Sequence, residues 1–174
     1  LNAINGITYL LLQEKPKVSQ LNYLKSLEFS GNYLLNFIND ILEINRLESD
    51  KVVLEKINFN LPELTENIVT SFKEFIHENN IKCHLNIDKS INYNLKGDPT
   101  KLSQILINLL NNAIKFSKNG DVWCNIIKKS ETTNNVTLYF EIKDNGIGIP
   151  KDKQDAIFDS FSQGSVEINR TYGG

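Results

Sequence analysis

Residues 104–117 read QILINLLNNAIKFS, and this stretch decides how the second half of the chain folds. Its apolar residues recur at helical spacing, and Asp98-Pro99 supplies an N-cap and a first-turn proline just upstream. We therefore predict a helix over 101–117. Apolar residues cover well over half of its circumference, so we expect the helix to be largely buried. They are Leu102, Ile105, Leu106, Leu109, Leu110, Ala113, Ile114 and Phe116.

One narrow stripe of this predicted helix is polar, and it contains amides and lysines but no carboxylate. Its members are Lys101, Gln104, Asn108, Asn112 and Lys115. Amide oxygens can ligate a hard cation such as Mg²⁺, and lysines can meet phosphate oxygens as point charges. Helix geometry alone leaves open the alternative of an ordinary solvent-exposed stripe.

A carboxylate followed by two glycines stands in DNGIGIP, residues 144–150. Apolar residues at alternate positions of 138–142 point to one face of a predicted strand, and Asp144 continues that parity. We therefore expect an inward-pointing, buried carboxylate, which would need a partner such as the amino group of a planar base. Gly146 and Gly148 would let a ligand approach the backbone closely. The alternative is a strand-ending turn in which local backbone caps Asp144.

The first 48 residues are predicted to form two helices interrupted at Pro16. Apolar residues of the second helix follow a heptad spacing. They are Leu24, Leu27, Leu34, Ile38 and Ile41, with Gly31 on the same seam. Such a seam favours either a four-helix bundle made by two chains or a helical hairpin packed on its own domain.

Residues 49–174 are predicted to form a second, mixed α/β domain with helices on one sheet. The predicted strands cover 52–59, 81–87, 122–129 and 136–143, and the last two form a hairpin. Asn60 is predicted to cap a helix that ends at Asn79-Asn80, with Glu63 at the capping-box position.

Composition restricts the function classes. The 174 residues are 40% hydrophobic and 23% charged with a net charge of −2, and no basic stripe favours nucleic acid as a partner. We expect Cys83 and Cys124 to be buried thiols in a reducing compartment. The chain begins at Leu1 without methionine, so we expect a fragment, and a membrane anchor upstream stays an open alternative.

Taken together, these motifs resemble the conserved boxes of sensor histidine kinases. NxxxNAxKFS at 108–117 is similar to the N box, and DxGxGIP at 144–150 is similar to the G1 box. FDSFSQ at 158–163 resembles the F box, and YGG at 172–174 resembles the opening of the G2 box, whose remaining Gly-Leu-Gly is missing. LNAIxG at 1–6 resembles the segment that follows the phosphoacceptor motif His-Glu-x-x-Thr-Pro, which is itself absent.

The resemblance implies ATP and Mg²⁺ as ligands and assigns a role to each matching position. Asn112 would ligate Mg²⁺, Asn108 would support the metal and phosphate site, and Lys115 would contact phosphate. Asp144 would receive the amino group of adenine. The nucleotide pocket would be shaped by Gly146, Gly148 and Ile149.

The family fold is an antiparallel-rich sheet backed by three helices, the Bergerat type shared with gyrase and a heat-shock chaperone. Phe158 and Phe161 would anchor a lid over ATP that spans 162–174 and includes Gly173 and Gly174. Residues 1–48 resemble the dimerisation and phosphotransfer domain, which favours the two-chain bundle over the isolated hairpin.

The implied reaction transfers the γ-phosphoryl of ATP to a histidine upstream of Leu1, for relay to an aspartate on a response-regulator receiver domain in the cytoplasm. Neither His77 nor His84 is followed by Thr-Pro at the required spacing, so we expect structural or surface roles for both. One alternative function is a nucleotide-binding regulatory module without kinase activity. Another is a hydrolytic ATPase, which would normally carry a general-base glutamate where Asn108 stands.

Overall fold

The structure is a computed structural model that describes residues 1–48, 53–155 and 157. The chain divides into two compact units, Leu1–Val53 and Leu54–Gly174. Within the described residues, no helix combines the length and the apolar character needed to cross a membrane.

The first unit contains two helices, α1 (Asn2–Gln13) and α2 (Val18–Glu48), which pack against each other. Asn5 of α1 donates a hydrogen bond of 2.8 Å from Nδ2 to Asn32 Oδ1 of α2. A Cβ at Gly31 would overlap Asn5 Oδ1, so the absence of a side chain there permits this close approach. Apolar side chains of both helices remain exposed. They include Ile4, Ile7, Leu27, Leu34 and Ile38.

The second unit combines helices with two small sheets. Its elements are β1 (Ile57–Phe59), α3 (Leu61–Ser71), α4 (Lys73–Glu78), β2 (Lys82–Ile87), β3 (Leu95–Gly97), α5 (Pro99–Phe116), β4 (Asp121–Glu131), β5 (Val136–Asp144) and a 3-10 turn (Lys151–Lys153). β2 pairs with β4 in parallel, β4 pairs with β5 antiparallel, and β1 pairs antiparallel with β3. The described part is therefore an α+β structure with a mixed sheet, as predicted, although β1 and β3 form a second sheet of their own.

The two predicted helix caps of this unit are confirmed. Asn60 Oδ1 accepts a hydrogen bond of 2.9 Å from the Glu63 backbone N–H, and Asp98 Oδ1 accepts one of 2.9 Å from the Lys101 N–H. Each bond satisfies a first-turn donor that the helix itself leaves without a partner. The hydrogen bonds from backbone hold the pKa of Asp98 below its ordinary value.

One predicted strand is too long, one predicted helix is two helices, and one strand was not predicted. Residue 52 of the strand predicted over 52–59 lies outside the described residues, and the rest of that strand shrinks to β1, because the Glu55 N–H bonds to Asp98 Oδ2 at 3.0 Å instead of joining a ladder. The helix predicted over 60–80 breaks at Phe72, where the N–H bonds to Val69 O and the helix restarts as α4. β3 was not predicted at all, and its three residues carry too short an alternation to signal a strand.

The core of the second unit lies between α5, α3 and the inner face of the three-stranded sheet. On α5 it contains Leu106, Leu110, Ala113 and Ile114, all 6% exposed or less. The prediction that α5 is largely buried is wrong for its other apolar edge, since Ile105 is 57% exposed and Leu109 45% exposed. One sheet covers only one face of a helix, so the apolar edge beside the polar stripe stays open.

Both cysteines are free thiols on neighbouring strands of this sheet. Cys124 is 1% exposed, and burial raises its pKa to about 11; Cys83 is partly buried and its pKa is also raised. Both groups are thus poor nucleophiles at neutral pH.

Candidate functional site

The polar stripe of α5 presents two amides to solvent. Asn108 and Asn112 are exposed, lie one helical turn apart, and make no side-chain hydrogen bond within the described residues. Lys101 Nζ lies 3.3 Å from Gln104 Oε1, and Lys115 Nζ lies 5.4 Å from the centre of the Phe116 ring. The stripe therefore offers amide oxygens next to ammonium groups along one line of the helix.

The second part of the site is the turn that follows β5. Asp144 is paired with Val122 in the antiparallel ladder, so its side chain lies on the same face of the sheet as the fully buried Val122. The predicted parity is therefore confirmed. The predicted burial is wrong, because Asp144 is the last residue of β5 and its carboxylate is exposed beyond the apolar layer.

Local backbone supplies one partner for this carboxylate. The Gly146 N–H donates a hydrogen bond of 3.0 Å to Asp144 Oδ1, which is the local cap that the sequence left open as an alternative. Oδ2 makes no hydrogen bond within the described residues. The turn therefore orients one carboxylate oxygen and leaves the other available to a donor.

A backbone contact ties this turn to the end of α5. The Ile147 N–H donates to the Phe116 carbonyl at 3.2 Å, which satisfies one of the carbonyls that a helix end leaves unpaired. A Cβ at Gly146 would overlap the same carbonyl oxygen and would lie 2.9 Å from the Ser117 Oγ. Only glycine fits there. Gly148 has open space around it, but its φ of +68° lies in the left-handed region that favours glycine.

The contact brings the two predicted motifs into one site. Asn112 lies one turn before Phe116, about 6 Å along the helix axis. The amide stripe and the Asp144 turn are thus held side by side by the end of one helix.

The residues present fit a magnesium nucleotide. The exposed amide oxygens of Asn108 and Asn112 are ligands of the kind that a hard cation such as Mg²⁺ takes, together with phosphate oxygens. The Ser117 Oγ is buried beside the turn with no hydrogen-bond partner in the described structure. Exposed Ile147 and Ile149 add apolar surface on which a base can pack.

Phe158, Phe161, Gly173 and Gly174, together with the rest of the predicted lid at 162–174, lie outside the described residues.

Sequence reasoning missed a group of side chains at the start of β4. Asp121 Oδ1 lies 2.8 Å from His84 Nε2, and the His84 ring stacks on Trp123 with centroids 5.4 Å apart. The hydrogen bond from His84 holds the pKa of the Asp121 carboxyl below its ordinary value. Asn145, which the motif DxGxGIP leaves unspecified, accepts a hydrogen bond from the backbone of the same Asp121. No short-range sequence signal connects residues that are 24 or 37 positions apart.

Comparison with known proteins gives consistent results. Residues 97–174 match the family model described as histidine kinase-, DNA gyrase B-, and HSP90-like ATPase. Over its full length the chain is 37% identical to the signal transduction histidine-protein kinase BarA of Escherichia coli strain K12, and 36% identical to the sensor histidine kinase GacS of Pseudomonas protegens. The chain spans 19% of the length of each of these curated relatives.

Solved structures also resemble the chain over most of its length. Full-length ShkA in complex with AMPPNP matches with a TM-score of 0.75 at 27% identity, over 93% of this chain and 34% of that one. ThkA in complex with the response regulator protein TrrA matches with a TM-score of 0.61 at 26% identity, over 92% of this chain and 46% of that one.

The two glycines of the turn should respond differently to substitution. Gly146→Ala places a methyl group against the Phe116 carbonyl, and we expect a loss of about 2–3 kcal/mol in the free energy of unfolding of the second unit. Gly148→Ala, the matched control, forces alanine into a left-handed conformation in open space, at a cost of about 1–2 kcal/mol. Urea unfolding measures both variants. An equal or smaller loss for Gly146→Ala would refute the close contact.

Proposed function

We propose that the chain is the core of a histidine protein kinase, because residues 97–174 match the family model described as histidine kinase-, DNA gyrase B-, and HSP90-like ATPase and the whole chain is similar to sensor histidine kinases. It binds Mg²⁺-ATP and transfers the γ-phosphoryl to a histidine upstream of Leu1. The observation that carries this proposal is the amide stripe of α5, held beside the Asp144 turn by the Phe116–Ile147 hydrogen bond.

Each part of the nucleotide has a matching group. Asp144 Oδ2 accepts a hydrogen bond from the amino group of adenine, while Gly146 holds the other carboxylate oxygen. Asn112 is the protein ligand of Mg²⁺, and Asn108 supports the metal and the phosphates from one turn away. Lys115 contacts a phosphate oxygen as a point charge. When bound, Mg²⁺ neutralises negative charge on the phosphates.

The transfer needs little covalent chemistry from the protein. A bond forms between a nitrogen of the acceptor histidine and the γ-phosphorus, the bond from that phosphorus to the bridging oxygen breaks, and ADP leaves. Positioning and charge stabilisation carry most of the catalysis in such reactions. Asn108, Asn112 and Lys115 perform that role by fixing the phosphates along one rigid helix face.

The first unit is proposed to dimerise through residues 1–48. Ile4, Ile7 and Leu27 are 48%, 59% and 46% exposed, and Leu34 and Ile38 continue the α2 seam at 44% and 39%. Two helices cannot cover so much apolar surface by themselves, and a second copy would bury it in a four-helix bundle.

The proposed recipient of the phosphoryl is an aspartate on a response-regulator receiver domain. ThkA, the structural neighbour in complex with the response regulator protein TrrA, supports this choice of partner. Because ATP is the proposed substrate, we place the domain in the cytoplasm.

Nucleotide titration of two variants tests the binding site. We expect Asp144→Asn to weaken ATP binding by roughly tenfold or more, because a hydrogen bond to a charged group is lost. Asn112→Ala should weaken binding comparably with Mg²⁺ present, and its effect should vanish when EDTA removes the metal, whereas the effect of Asp144→Asn should persist.

The neighbouring exposed Asn111 provides the control, since Asn111→Ala alters the same helix about 100° around its axis and should bind as the unchanged chain does. Undiminished affinity in both Asp144→Asn and Asn112→Ala would refute the site.

Phosphohistidine formation separates the kinase from its alternatives. A longer chain that includes the upstream histidine and the segment beyond Gly174 is incubated with γ-labelled ATP, and acid-labile, base-stable label is measured. We expect label that disappears when that histidine is replaced. Steady release of phosphate without labelled protein would instead indicate a hydrolytic ATPase. Nucleotide binding with neither outcome would indicate a regulatory module.

A further inference from the structure

Asn145 is fastened twice to one residue of the neighbouring strand. Its side-chain Oδ1 accepts a hydrogen bond of 2.7 Å from the Asp121 backbone N–H, and its own N–H donates to the Asp121 carbonyl at 3.3 Å. The regular β4–β5 ladder ends one pair earlier, at Asp144 and Val122. Asn145 therefore extends the strand pairing by one residue, and its side-chain oxygen replaces the backbone carbonyl as the hydrogen-bond acceptor.

The Asn145 side chain has space beside Asp121 because residue 120 is a glycine. A Cβ at Gly120 would overlap Asn145 Oδ1. Among the described glycines only Gly148 has a positive φ, so Gly120 is required for space and not for its backbone conformation. Gly120 and Asn145 thus form a complementary pair.

Asn145 also lies inside the turn that orients the Asp144 carboxylate. It follows Asp144 and precedes Gly146, whose N–H holds Asp144 Oδ1. On the far side, the Ile147 N–H fixes the turn to Phe116 of α5. The turn is therefore anchored to β4 by Asn145 and to α5 by Ile147, and an exposed carboxylate is carried between the two anchors.

We propose that Asn145 is a positioning residue that aims the Asp144 carboxylate at the amino group of a purine nucleotide. This inference rests on the proposed function and adds to it a determinant of base recognition. Asn145 is itself exposed, so its loss leaves no cavity in the core. Its removal should therefore change the orientation of the carboxylate far more than the stability of the fold.

The test compares two ligands that differ only in the amino group. ATP and purine riboside triphosphate, which lacks that group, are each titrated calorimetrically into the chain with Mg²⁺. For Asn145→Ala we expect roughly tenfold weaker binding of ATP and a change of less than about twofold for the purine analogue. Asn86→Ala is the matched control, because it removes a 2.8 Å side-chain bond to Asn125 elsewhere on the same sheet. Both of its affinities should stay unchanged.

A second variant disturbs the hydrogen bond between Asn145 and Asp121 without altering either residue. Gly120→Ala should push Asn145 Oδ1 away from Asp121 and reproduce the loss of discrimination between the two ligands. In the double variant Gly120→Ala/Asn145→Ala the two effects on discrimination should not add, because Asn145 Oδ1, the nearest atom to the new methyl group, is gone, while the Ser117 carbonyl at 3.0 Å is met with or without Asn145. Thermal unfolding verifies that each variant is folded.

Asp144→Asn distinguishes failure of this inference from failure of the proposed function. If Asp144→Asn abolishes the preference for ATP but Asn145→Ala and Gly120→Ala do not, Asn145 has no positioning role. Equal weakening of both ligands by Asn145→Ala would also overturn it, since that result indicates a general structural effect. If the unchanged chain shows no preference for ATP over the purine analogue, the proposed adenine site itself is wrong.

Discussion

One backbone hydrogen bond holds the candidate site together. It runs from the Ile147 N–H to the Phe116 carbonyl and exists only because Gly146 brings no side chain to the same carbonyl. The bond satisfies the end of α5 and at the same time fixes the turn that carries Asp144. The amide stripe of α5 and the Asp144 turn, which are far apart in sequence, therefore meet at the end of the helix. Everything that the site could do with a nucleotide depends on this junction.

The sequence predicts the parts of the structure whose determinants are local. The caps at Asn60 and Asp98 need only a few residues in a row, and both are present as predicted. The break at Phe72 and the short strand β3 depend on contacts made after folding, so periodicity could not locate them. The exposure of Leu109 has a similar cause, because a helical wheel gives the angle of a side chain but not the width of the layer that will cover it.

The candidate site follows the same division. The residue types at Asn108, Asn112 and Asp144 were recognisable from their spacing, and so was the side of the strand on which Asp144 lies. Its exposure was not, since burial at the end of a strand depends on where the covering layer stops. Asn145 escaped notice because its partner Asp121 belongs to another strand. The residue types of the site could be recognised from the sequence, whereas the contacts that position them, such as Asn145 with Asp121, could be recognised only from the fold.

The most direct test of the central claim is the paramagnetic effect of Mn²⁺ on NMR signals, with Mn²⁺ replacing Mg²⁺ in the complex with ATP. With Mn²⁺ added in trace amounts, a metal ligated by Asn112 predicts the fastest relaxation at the side-chain amide of Asn112 and slower relaxation at Asn108 and at Asn111 on the adjacent face, because the effect falls steeply with distance from the metal. Broadening centred on Asp152 and Asp155, two exposed carboxylates at the 3-10 turn Lys151–Lys153, with Asn112 unaffected, would contradict a metal–nucleotide site on α5.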